Sequence, residues 1–155
     1  GGRITTECYN KLECDVTDKH IVFLEGLQNY YLDQHNRLFV HAGFTSLNGV
    51  LHEHFKRMFF WDRTLWETAL AIDPLLAPGD PLYPKRFTHY KEIFIGHTPV
   101  TRIGKTTPVR MANVWNVDTG AAFKGPLTIM DADTKQYWQS DPVYKLHPDE
   151  IGRND

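Results

Sequence analysis

The sequence predicts an α/β fold, and three observations carry that prediction. Two short apolar runs, Leu38-Phe39-Val40 and Ile93-Phe94-Ile95, each lead to a histidine beside a glycine, in His41-Ala42-Gly43 and Gly96-His97. Runs of this length bounded by turn residues suit strands buried on both faces of a layered sheet. Between them, from Gly49 to Ala71, Leu51, Phe55, Met58, Phe59, Leu65, Trp66, Ala69 and Leu70 recur at three- and four-residue steps, the spacing of helices. A histidine at the far end of a buried strand lies where open α/β sheets place their ligands, outside the carboxyl edge, and the neighbouring glycine lets the backbone turn sharply and a ligand approach closely.

Taken in order, residues 1–10 read as a leading loop. Thr17-Asp18 offers an N-cap for a surface helix whose Ile21, Val22, Leu24 and Leu27 form one buried face. Tyr30-Tyr31-Leu32 and Arg37-Leu38-Phe39-Val40 flank a turn at Asp33-Gln34-His35-Asn36 and read as a hairpin. Trp61-Asp62-Arg63 marks a break between two helices. Asp73 to Pro84 holds four prolines and a glycine and should be irregular and exposed. The second buried strand, Glu92 to Gly96, follows. A polar stretch then turns at Lys105-Thr106-Thr107-Pro108, and another strand runs through Val114-Trp115-Asn116-Val117 into the small residues after Asp118. Pro126-Leu127-Thr128-Ile129-Met130 and Gln136-Tyr137-Trp138 form a closing hairpin about Asp131-Ala132-Asp133-Thr134. The whole of 1–155 reads as one domain, with 141–155 a loose tail.

The 155 residues are 41% hydrophobic and 23% charged, the proportions of a globular protein. Seventeen basic against nineteen acidic residues leave a formal charge of −2, so no global field recruits nucleic acid or an anionic membrane. Cys8 and Cys14 match neither a redox pair nor a zinc knuckle, and read as free thiols of a reducing, cytoplasmic compartment. No run reaches the length of a membrane span.

His41 and His97 are the first candidates for chemistry. Either one alone could be a buried histidine bonded to backbone, but the pair, each beside glycine at a strand end, reads as two metal ligands. Two histidines do not complete a catalytic metal site. His52 and His54 are two residues apart and point in different directions on a helix. Lys85 to Lys91 reads as a solvated basic rim, and Cys8, Cys14 and His20 match no common zinc spacing. There is no Gly-x-Ser-x-Gly and no phosphate loop.

His41-Ala42-Gly43, Trp61-Asp62-Arg63, Gly96-His97-Thr98-Pro99 and Asn116-Val117-Asp118-Thr119-Gly120-Ala121 stand in an order that resembles the calcineurin-like metallophosphoesterases. The resemblance is to the bacterial and phage serine/threonine protein phosphatase branch, with diadenosine tetraphosphate hydrolase a near relative. It runs from about residue 38 to residue 130. It implies that His41 and His97 bind one of two divalent ions (manganese, iron or zinc) and that Arg63 clamps the substrate phosphate, as a planar guanidinium can. Asp118 could orient a ligand histidine or simply form its turn.

The family's Gly-Asp-x-His, Gly-Asp-x-x-Asp-Arg-Gly and Gly-Asn-His-Asp/Glu motifs do not occur here. The resemblance therefore implies the C-terminal half of a two-sheet sandwich with flanking helices, requiring the N-terminal half of the same protein for a full site. The implied activity is hydrolysis of phosphate monoesters, on a phosphoprotein or a small phosphoester. Two alternatives stand beside it: a non-catalytic binding module derived from that fold, and a nucleotide hydrolase of the diadenosine tetraphosphatase kind.

Overall fold

The computed structural model describes residues 2–146 and Pro148. Two helices come first, α1 (Gly2–Tyr9) and α2 (Cys14–Glu25). The expected leading loop is thus largely helical, and α2 begins ahead of Thr17. Its expected buried face is also absent: Ile21, Val22, Phe23, Leu24 and Leu27 all stand exposed. Four consecutive apolar residues point around the whole helix, so they do not gather into one stripe.

Strands β1 (Tyr30–Leu32) and β2 (Arg37–Val40) form the anticipated antiparallel hairpin. Asp33 shapes its turn by accepting the amides of His35 and Arg37, each at 2.9 Å. The helical region beyond is more broken than its periodicity suggests. It contains a 3-10 turn at Val50–His52, then α3 (Met58–Trp61) and α4 (Thr64–Ala71). Of the residues at helical spacing, Leu51 and Phe55 are exposed, while Phe59, Leu65, Trp66 and Ala69 are buried. The break falls at Asp62-Arg63 as expected, and residues 73–84 hold no helix or strand.

Strand β3 (Glu92–Ile95) follows a 3-10 turn at Lys85–Phe87. A further 3-10 turn at Val100–Ile103 and strand β4 (Val109–Met111) occupy what read as a plain polar stretch, ahead of β5 (Val114–Asn116). The closing hairpin is β6 (Pro126–Met130) and β7 (Tyr137–Pro142), followed by the short α5 (Val143–Leu146). Asp141 and Pro142 complete β7, so regular structure runs as far as Leu146 within the segment expected as a loose tail. Residues 147 and 149–155 of that expected tail lie outside the described residues.

The architecture is mixed α/β. A five-stranded sheet has the order β1-β2-β3-β5-β4, and β6 and β7 make a second, two-stranded sheet. The central strands β2, β3 and β5 are mutually parallel, and the outer two run antiparallel to them. Three chain segments therefore leave the sheet together at one carboxyl edge.

Alternation along these strands divides the sheet into two faces. Leu38, Val40, Ile93, Ile95 and Val114 point into the core shared with Phe44, Phe59, Leu65, Trp66, Phe87 and Val100. On the other face Phe39 stacks on Phe94 at 4.8 Å between ring centroids, and Phe94 on Trp115 at 6.5 Å. Lys135, from the turn of the second sheet, sits over the Phe94 ring at 5.0 Å and pairs with Glu92 at 2.7 Å. Both faces of β3 are buried as expected, but aromatic stacking and one cation cover the second.

Candidate functional site

At the carboxyl edge the ends of β2 and β3 are tied directly together. The Gly96 amide donates to the His41 carbonyl at 2.9 Å, so the two histidine-bearing turns share a backbone hydrogen bond. The turn strain falls on His97 and not on its glycine neighbour. His97 has φ of 66°, in the left-handed region, whereas a side chain at Gly96 would meet only ordinary contacts, 3.6 Å from the His41 carbonyl. A non-glycine residue in that region is uncommon and marks a position its surroundings hold in place.

Those surroundings centre on Asn116, which is fully buried at the end of β5. Its Nδ2 donates to the Thr98 carbonyl at 2.8 Å and its Oδ1 accepts the Asp118 amide at 3.0 Å. One side chain thus braces both the loop after His97 and the loop after β5. The Val100 amide adds a bond to the Asp118 carbonyl at 2.9 Å.

The geometry brings the two histidines into contact. His41 Nε2 and His97 Nδ1 lie 3.2 Å apart, and the Trp61 ring meets His97 edge-on at 5.5 Å. The other His97 nitrogen, Nε2, is buried and has no hydrogen-bond partner among the described residues. Burial holds the His97 imidazole below its ordinary pKa, with the charges of His41, Arg63 and Arg102 adding to the effect and Asp118 opposing it. The neutral ring is the form that offers a lone pair to a metal.

The 3.2 Å separation also fits a shared ion. Two nitrogens each about 2.0–2.1 Å from one metal lie about 2.8 Å apart at a right angle and about 3.4 Å apart at a tetrahedral one. Among the described residues no group of three or more histidine, cysteine, aspartate or glutamate side chains surrounds such a position. These residues fit part of a ligand set.

Both histidines line a cleft of about 630 Å³, together with Trp61, Arg63, Arg102, Asp118 and Phe123. Arg63 does not pair with Asp62 or Glu67, and among the described residues no carboxylate lies within 4.0 Å of it. Asp62 is buried and turned the other way, accepting the amides of Thr64 at 2.9 Å and Leu65 at 3.2 Å where α4 begins. This explains Gly43 differently from the expectation of a close ligand approach. A Cβ at Gly43 would stand 2.5 Å from Asp62 Oδ2, so this glycine makes room for the carboxylate that starts α4. Asp118 lines the cleft, and its Oδ1 accepts the Gly120 amide at 2.9 Å, the contact of a turn-forming aspartate.

Other sequence candidates fall elsewhere. Arg86, read as part of a solvated rim, is buried with Phe87 and Tyr90. Its guanidinium donates to the Phe44 and Thr64 carbonyls and to the hydroxyls of Thr64 and Thr68, locking α4 to the loop after His41. His20 bonds the Tyr9 hydroxyl at 3.1 Å, and Cys8 is an exposed free thiol. Arg102 and Asn116 were not singled out by sequence reasoning. A polar residue inside Val-Trp-Asn-Val signals the second; nothing local signals the first.

No helix among the described residues is long and apolar enough to cross a membrane. No protein-family model matches this chain, and no curated protein is significantly similar to it.

Proposed function

We propose that this chain forms part of a metal-dependent phosphoesterase of the serine/threonine phosphatase type, and that it acts on phosphate monoesters of proteins or small molecules. The observation that carries the reading is the convergence of His41, His97 and the unpaired Arg63 in one cleft at the carboxyl edge, with the imidazole nitrogens at the spacing of ligands on a shared ion. The motif resemblance and the α/β architecture are in keeping with half of a metallophosphoesterase sandwich.

In this reading His41 and His97 hold one divalent ion, manganese, iron or zinc, and the N-terminal half of the same protein supplies the ligands of a second. The ions would polarise the phosphoryl oxygens and acidify a water. Arg63 would receive two phosphoryl oxygens in its planar fork and neutralise charge that grows as the ester bond breaks. The left-handed His97 backbone sets where the ring leaves the chain, and Asn116 braces the loop that follows. Trp61 and Phe123 narrow the cleft and thin the water around the phosphoryl group.

Manganese titration followed by paramagnetic broadening in NMR tests the first part. Broadening centred on His41 and His97 that is lost in His97→Ala supports it, and broadening elsewhere overturns it. Hydrolysis of p-nitrophenyl phosphate tests the second. Activity of a longer chain that vanishes in His97→Ala and falls in Arg63→Ala supports the reading. Robust turnover by these 155 residues alone would overturn the need for further ligands. A longer chain that binds manganese without turnover would favour the binding module instead.

A further inference from the structure

The histidine cleft does not end at Arg102 and Phe123. Both residues, with Pro99, also line a second cavity of about 480 Å³, bounded beyond them by Thr101, Thr106, Lys124 and Pro126. The two spaces therefore adjoin across a shared wall of Pro99, Arg102 and Phe123.

The second cavity carries two cations, Arg102 and Lys124. Arg102 and Lys124 are exposed, and among the described residues neither has a carboxylate within 4.0 Å. Among the described residues no acidic side chain lines this space. Its wall is also rigid. A Cβ at Gly125 would lie 1.8 Å from the Thr119 carbonyl oxygen, the amides of Phe123 and Gly125 both donate to the Gly120 carbonyl at 2.9 Å, and Thr119 Oγ1 donates to the Pro126 carbonyl at 2.7 Å. The loop that presents Phe123 and Lys124 is thus fixed against β6.

We propose that Arg102 and Lys124 are specificity-determining residues that receive a second anionic group, a carboxylate or a phosphate, on the leaving-group side of the substrate. Phe123 lies between the two spaces and packs against the apolar body joining the two anions. The inference rests on the reading of the histidine cleft as the phosphoryl site.

Calorimetric titration of the longer chain in manganese, at low salt, with non-hydrolysable phosphonates tests it without requiring turnover. The probes are phenylphosphonate, 4-carboxyphenylphosphonate and 1,4-phenylenebisphosphonate. Binding of the two dianionic-ended probes about tenfold tighter than phenylphosphonate is expected, since hydrogen-bonded charge pairs contribute on this scale. That ratio should fall towards one in Arg102→Ala and fall in part in Lys124→Ala. Tighter binding of one probe only would identify the second anion as carboxylate or phosphate. Equal affinities for all three probes in the unaltered chain would overturn the inference and leave the phosphoryl site standing. So would an advantage that survives both substitutions. Failure of every phosphonate to bind would overturn the phosphoryl reading and this inference with it. Both side chains are exposed and make no hydrogen bond among the described residues, so the variants should fold; Arg102→Glu, which should invert the preference, gives an independent arm.

Discussion

The two ends of the central sheet treat charge in opposite ways. At the amino end every buried charge is matched. Arg37 meets Asp33 and Asp133, each at 2.6 Å, and Glu92 meets Lys135 at 2.7 Å and the Trp115 indole N–H at 2.9 Å. At the carboxyl end Arg63, Arg102 and His97 Nε2 have no partner among the described residues, although the backbone around them is fully braced. The buried, unpartnered His97 Nε2 is costly unless something binds there, while Arg63 and Arg102 are solvated and free to meet an anion, so the contrast separates the end that holds the fold from the end that is open to a ligand.

Breaking the brace should have the largest effect. Gly125→Ala forces a Cβ against the Thr119 carbonyl and should cost about 3 kcal/mol, read as a lower urea midpoint. Asn116→Ala leaves the Thr98 carbonyl and the Asp118 amide unpaired inside the protein, at a cost of about 2 kcal/mol by the same measurement.

Paired substitutions at the two ends sharpen the comparison directly. Lys135→Met at the amino end should destabilise by about 1–2 kcal/mol, because it strands the buried Glu92 carboxylate. Arg63→Met at the carboxyl end should change stability by less than about 0.5 kcal/mol while abolishing phenylphosphonate binding. If the two variants behaved alike, the distinction between the ends would fail.

Acid should act through carboxyls that the fold holds low, two of them at the amino end. Burial pushes the Glu92 carboxyl up, but hydrogen bonds from Lys135 and Trp115 outweigh it and hold the group below the usual carboxylate range. Burial likewise raises Asp33, and the amides of Arg37 and His35 with the Arg37 guanidinium outweigh it and lower the group. A carboxyl lowered in the folded state binds fewer protons there than in the unfolded chain. Its contribution is therefore present above the unfolded value of about 4 and is lost as pH falls through the folded one. The urea midpoint should decline below about pH 4, and Lys135→Met should flatten that decline.

Much of this arrangement is legible in the sequence because short-range patterns encode it. The runs ending at His41 and His97 are buried parallel strands, the Asp33–Asn36 turn and both hairpins fall where their residues indicate, and the break at Asp62-Arg63 is real. The misreadings share a cause, which is partners distant in the chain. Arg86 looks like one more surface cation until Thr64, Thr68 and the Phe44 carbonyl surround it. Gly43 looks like a ligand-facing glycine until Asp62 fills the space beside it. Leu51, Phe55 and the apolar residues of α2 have helical or apolar patterns, but among the described residues nothing covers them. Periodicity reports what could be buried, and only the packed chain says what is.

The left-handed backbone at His97 has a consequence for how this position can change over time. Glycine there would relax the turn and remove a Cβ penalty of about 1 kcal/mol, whereas alanine would keep the strain, and both would lose the imidazole. Residue 97 can therefore change to glycine at little backbone cost, and comparing the urea midpoints of His97→Gly and His97→Ala separates the backbone strain from the loss of the ring.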